Sequence, residues 1–154
     1  MKSTEVFQVA VERAHRQEEA FAAFLRNCGL SAQAKSRGFR TSMDAISDYA
    51  HDIDLDVEGY RCQYKHRHTW LSVFQHFGSR PFVDEVIKAD RTPVDFYILR
   101  FDDGTIVMPY EPARWGVERK YDSKDKAQKD FYTCDPTEGV PLSLWIESFL
   151  DTAS

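Results

Sequence analysis

Asp52-Ile53-Asp54-Leu55-Asp56-Val57-Glu58-Gly59-Tyr60-Arg61-Cys62-Gln63-Tyr64-Lys65-His66-Arg67 is the stretch on which the fold turns. Apolar and polar residues alternate on both sides of Glu58-Gly59, and alternation is the period of a half-buried strand. The stretch therefore predicts two short strands joined by a tight turn. Ile53, Leu55 and Val57 share one face of the first strand, and Asp52, Asp54 and Asp56 share the other. On the second strand Cys62 and Tyr64 oppose Arg61, Gln63 and Lys65. One face of the hairpin thus gathers carboxylates, an amide and cations.

Toward the start of the chain, residues 3–28 predict a helix of about seven turns. Ser3 or Thr4 serves as its N-cap, and Cys28-Gly29 ends it, because glycine takes the left-handed conformation that closes a helix. Ala14, Phe21, Phe24, Leu25 and Cys28 form the apolar stripe, with Glu18 at its edge. An acidic residue there reads first as a solvated flank and second as a ligand. Residues 30–44 read as a loop with a short strand near Phe39. Lys35, Arg37 and Arg40 cluster around Gly38, where a basic loop can follow a phosphate backbone; an ordinary solvated connection is the plainer account.

Beyond the hairpin, the aromatic segment 69–77, with Trp70, Phe74 and Phe77, is broken by Gly78 to Pro81. Pro81 to Lys88 reads as a strand or a short helix. Residues 94–101 and 105–110 predict two strands around Asp102-Asp103-Gly104, where Asp-Gly supplies the positive φ values of a hairpin turn. Residues 111–139 mix cations and acids, which reads as a solvated face first. Trp115 and Tyr121 among those cations give a second reading, a surface on which bases stack. Pro141 opens a last short helix. The sum is a single mixed α/β domain over 1–154.

Composition narrows the class. The 154 residues are 42% hydrophobic and 14% aromatic, enough for a sizeable core. A net charge of -5 gives no global basic footprint, so any polyanion site must be a local patch. Cys28, Cys62 and Cys134 lack the paired spacing of a disulfide or zinc framework, which fits a reducing, cytoplasmic setting. No apolar run reaches signal-peptide length or the roughly 20 residues of a membrane span, and no repeat is present.

The polar face of the hairpin suggests a divalent-cation site. Mg²⁺ prefers hard oxygen ligands, which Asp54 and the amide of Gln63 offer, with water and a substrate phosphate completing the sphere. Lys65, two residues on, emerges on the same face, where it can orient a metal-bound water and offset charge on the phosphate. Arg61 and Arg67 on that face are placed to contact flanking phosphates.

The order of Asp, eight residues, then Gln-x-Lys, on a strand-turn-strand unit preceded by a helix bearing Glu, resembles the PD-(D/E)XK nuclease superfamily. The nearest variant is the Mrr-type restriction endonuclease, with Gln-x-Lys where most members carry Glu-x-Lys. Asp54 matches the motif aspartate, Gln63 and Lys65 the Gln-x-Lys pair, and Glu18 the helix glutamate; segment 81–90 is similar to small phage-encoded members. The resemblance implies a restriction-endonuclease-like core, a mixed central sheet flanked by helices. It also implies Mg²⁺ or Mn²⁺ held by Asp54, Gln63 and Glu18, and hydrolysis of DNA in the cytoplasm, that of the host cell if phage-encoded. Many single-site nucleases cut both strands as dimers, so a homodimer is possible, although no heptad repeat fixes one.

The family pattern is not followed everywhere. Asp54 stands between Asp52 and Asp56, either of which replaces it after a register shift of two, and Gln63 is a neutral, weaker ligand. The alternative is a catalytically inactive nuclease-fold module that binds nucleic acid or a protein partner, such as a phage accessory protein. The bland account makes the three aspartates the solvent face of an edge strand, with Lys65 and Arg67 pairing to them across the hairpin. Cys62, His66 and His68 lack the second cysteine pair of a tetrahedral zinc site.

Overall fold

The computed structural model describes residues 16–34, 55–66, 82–122 and 125–151. They fall into two compact units, Met1–Tyr64 with Ile146–Ser154, and Lys65–Trp145. The architecture is mixed α/β.

In the first unit, helix α1 covers 16–27 and stops where the sequence predicts. Gly29 takes φ 102°, its N–H donates to the Arg26 carbonyl, and the Leu30 N–H reaches back to Leu25. This is the left-handed closure that glycine permits. Strand β1 (Ala32–Ala34) then pairs antiparallel with β2 (Leu55–Val57), and β2 with β3 (Tyr60–His66). The register sets Leu55 opposite Cys62 and Asp56 opposite Arg61. Glu58 and Gly59 both take positive φ, 51° and 85°, as a two-residue turn that matches strand twist requires. A non-glycine residue is strained there. Its contacts offset this: the Glu58 N–H donates to the Ser31 carbonyl (2.8 Å), and its carboxylate accepts from the Ser31 N–H (2.9 Å).

Leu25, Leu30, Ala32, Leu55, Val57 and Cys62 are buried in this unit, as the alternation predicts for the inner face of the hairpin. Phe21 of α1 stacks on Tyr64 of β3, ring centroids 4.7 Å apart. The helix therefore lies over the face of β3 that carries Tyr64.

In the second unit, β4 (Phe82–Glu85) runs directly into α2 (Val86–Arg91), so the segment read as strand or helix is both. Strands β5 (Phe96–Phe101) and β6 (Gly104–Pro109) form the expected hairpin, but its turn differs. Asp102 and Asp103 make the loop without a positive φ, and Gly104 is the first residue of β6, opposite Phe101. Tyr97, Ile98 and Leu99 are consecutively buried, which is the pattern of a strand covered on both faces.

Residues 111–139 carry the expected solvated face, and they carry it on strands. They contain β7 (Gly116–Asp122) and β8 (Ala127–Thr133), paired antiparallel, in a sheet of order β4-β8-β7. Strand β9 (Val140–Pro141) pairs with β6 and leads into α3 (Leu142–Asp151), one residue after the predicted proline start. Among the described residues no helix is long and apolar enough to cross a membrane.

Candidate functional site

Strand β3 carries the two candidates the structure describes most fully. Arg61, Gln63 and Lys65 alternate along one side of it, and their burial is graded: Arg61 is exposed, Gln63 is 3% exposed, and the Lys65 side chain is 15% exposed. The polar side of the hairpin is therefore not a uniform solvent face. Asp56, the Cα partner of Arg61, is half-buried.

Among the described residues Lys65 pairs with an acid outside the hairpin. Its Nζ lies 3.5 Å from Oδ1 of Asp84 on β4. Asp84 is itself 7% exposed, and its carboxylate also accepts the Tyr97 hydroxyl (3.1 Å) and the Glu85 N–H (2.9 Å). A bulge explains how a carboxylate arrives there. Phe82 opposes Thr133 while Asp84 opposes Tyr132, so Val83 is an extra residue on β4. The bulge breaks alternation and lets Val83 and Asp84 be buried in succession.

Glu18 is buried on α1, 8% exposed, one turn before Phe21. Because Phe21 stacks on Tyr64, this helix meets β3 on the side that alternates with Gln63 and Lys65. Asp54, the expected main ligand, lies outside the described residues, as do Asp52, Arg67, Lys35, Arg37, Arg40 and His68. Among the described residues no three His, Cys, Asp or Glu side chains gather into a group able to hold a metal ion, so a Mg²⁺ site on this strand depends on Asp54. Cys28, Cys62 and Cys134 form no disulfide. The chain matches no family model, no curated protein and no solved structure.

Asp84 is the residue that sequence reading missed. The available signal was a carboxylate inside the apolar run Phe82-Val83-Asp84, but only the bulge turns it inward. A second polar cluster lies on the same sheet. Lys129 meets Asp122 (3.1 Å), Glu85 (3.8 Å) and Asp125, and the hydrogen bonds to Asp125 and Asp122 hold its ammonium above the usual lysine range. These contacts satisfy one another and leave Lys129 as a strut at the β7–β8 turn.

Proposed function

We propose that the chain is a metal-dependent nuclease that hydrolyses phosphodiester bonds of DNA on a restriction-endonuclease-like core. What supports this reading is the withdrawal of Gln63 and Lys65 from water on one side of a regular strand. A hairpin whose polar side faced solvent throughout would expose both. Burying an amide and an ammonium carries a desolvation cost that a purely solvated face never meets, and such groups concentrate at functional sites.

In this reading Asp54 and Gln63 would hold Mg²⁺ or Mn²⁺, whereas Glu18, expected beside them, belongs to the helix that covers the opposite, Tyr64 face of β3 and is not among the ligands. The ion supplies an activated water and neutralises charge on the phosphate. Lys65 directs its positive charge toward the scissile phosphate, with Asp84 holding its side chain in one conformation. Arg61 and Arg67, with Lys35, Arg37 and Arg40, contact flanking phosphates.

The Lys65–Asp84 pair also favours a second reading. A lysine whose charge is already met by a carboxylate is less available to a phosphate, and the chain is then an inactive nuclease-fold module that binds nucleic acid or a protein. Plasmid, single-stranded DNA and RNA incubated with Mg²⁺ or Mn²⁺ separate the two. The nuclease reading expects cleavage that Asp54→Ala and Lys65→Ala abolish. No cleavage of any substrate by the unmutated chain sinks it, and cleavage that survives both substitutions moves the site elsewhere.

A further inference from the structure

β7 is the outer strand of its sheet: it pairs with β8 on one side, and among the described residues no strand adds to the other. Val117, Glu118, Arg119, Lys120 and Tyr121 are all exposed, Val117 at 57% and Tyr121 at 55%. An open edge of this length offers backbone donors and acceptors to another strand. The order of its side chains says which strand fits. We propose that β7 pairs antiparallel with β7 of a second copy of this chain, about a two-fold axis through Arg119, so that the two sheets become one.

A two-fold axis normal to the sheet keeps every side chain on its own face, so each allowed register is centred on a residue. Centred on Arg119, the register sets Glu118 opposite Lys120 twice and Val117 opposite Tyr121 twice. Centred on Glu118, it would set that carboxylate against its own copy and Val117 against Arg119. Centred on Lys120, it would oppose two ammonium groups and set Glu118 against Asp122. Opposite charges and apolar pairs directly across strands stabilise a sheet, and like charges destabilise it. A register on Tyr121 also sets Lys120 opposite Asp122, but it overlaps only residues 120–122 of the strand; the register on Arg119, the middle of Gly116–Asp122, pairs the whole strand, acid with base and apolar with apolar, and sets the two Arg119 guanidiniums opposite each other.

The neighbouring strand fits the same register. Arg119 has Asp130 as its Cα partner on β8, so the row across the joined sheets runs Asp130, Arg119, Arg119, Asp130 and is neutral overall. On the opposite face the β8 partner of Lys120 is Lys129, whose charge is taken up by Asp122, Asp125 and Glu85. Lys120 has the Phe82 ring, 4.8 Å from its Nζ, and no ion pair among the described residues. Glu118 of the second copy would lie directly opposite Lys120 on this face.

Sedimentation equilibrium over a concentration series tests the proposal on the full chain, with circular dichroism to verify folding. The expected result is a monomer–dimer equilibrium. Glu118→Lys and Lys120→Glu each turn two attractive pairs into repulsive ones, and each should weaken dimerisation about tenfold or more. The double exchange Glu118→Lys/Lys120→Glu should restore it. Arg119→Cys should give a covalent dimer on oxidation, because directly opposed residues in an antiparallel pair come within disulfide reach. A monomer at every concentration overturns the proposal, as does a dimer indifferent to both single reversals or a double exchange that fails to restore association.

Discussion

Lys65 and Asp84 form an ion pair, Nζ to Oδ1 3.5 Å, with side chains only 15% and 8% exposed. Removing one partner of a shielded pair costs more than the pair contributes, because the other charge remains buried and uncompensated. Asp84→Ala also strips an acceptor from the Tyr97 hydroxyl and the Glu85 N–H. We expect Asp84→Ala to lower stability by about 3 kcal/mol and Lys65→Met by about 2 kcal/mol. The double variant should lose less than the sum by about 1 kcal/mol or more, measured as a urea-denaturation cycle. Additive losses would show that the two groups do not interact.

That pair also marks where the sequence stops being legible. The hairpin at 55–66 is local: alternation fixes its faces, and Glu58-Gly59 supplies the two positive φ values its turn needs. The end of α1 at Gly29 is equally local. Strands β7 and β8 escaped notice because residues 116–122 expose both faces of an edge, so no apolar period survives to announce a strand. Asp84 escaped because its burial depends on a bulge set by pairing with β8, far along the chain. The hairpin β5–β6 forms where Asp102-Asp103-Gly104 predicts it, but Gly104 opens a strand and makes no turn of positive φ. At the site, the neighbours of Gln63 and Lys65 along β3 were readable, and the tertiary partner of Lys65 was not.

The hydroxyls of Tyr110 and Tyr132 both donate to Oδ1 of Asp90, each at 2.8 Å. Burial, and then the Asp90 carboxylate that accepts their hydrogen bonds, push both phenols above the ordinary tyrosine value of 10.0. A group whose pKa is raised on folding contributes stability that is fully present below its unfolded value and is lost as pH rises toward its folded one. Stability should therefore be level with respect to these two groups at neutral pH and fall above pH 10.0. Tyrosinate absorbance should show Tyr110 and Tyr132 among the phenols that ionise late in the folded chain and at the ordinary value in denaturant. Tyr110→Phe and Tyr132→Phe should each remove one late phenol and flatten the alkaline loss; an unchanged titration would contradict the shared carboxylate.

Gly139 follows the 3-10 turn Pro136–Glu138 and lies against β6. A Cβ there would come within 2.9 Å of Ile106 Cδ1 and Met108 Sδ, and 3.0 Å of Ile106 Cβ. The Met108 thioether can swing aside, but Ile106 Cβ is fixed to the strand backbone. The backbone at Gly139 has φ -73°, so the conflict is one of space alone. Gly139→Ala should cost about 1–3 kcal/mol, the usual range for overpacking. Trimming the neighbour in Gly139→Ala/Ile106→Val should recover part of that loss in thermal unfolding. Gly59→Ala is the control of opposite kind: nothing lies within 4 Å, but φ is 85°, so its cost comes from backbone strain.

Gln63 is where the nuclease reading meets its sharpest test. At 3% exposure an amide can be held by hydrogen bonds, whereas a carboxylate in the same place loses most of its hydration. Gln63→Glu should therefore destabilise the metal-free chain by about 2 kcal/mol. Burial raises the pKa of a carboxylate, so the penalty should be small at pH 4, where the group stays protonated, and grow as pH rises toward 8. If Asp54 and residue 63 are ligands of one ion, Mn²⁺ or Mg²⁺ should oppose this loss, because a cation that binds only the folded chain stabilises it. The expected outcome is a melting temperature for Gln63→Glu that rises with Mn²⁺ at pH 8 more than that of the unmutated chain, and an Asp54→Asn/Gln63→Glu variant that shows no such rise. A metal response equal in all three chains would mean that the ion does not sit on β3.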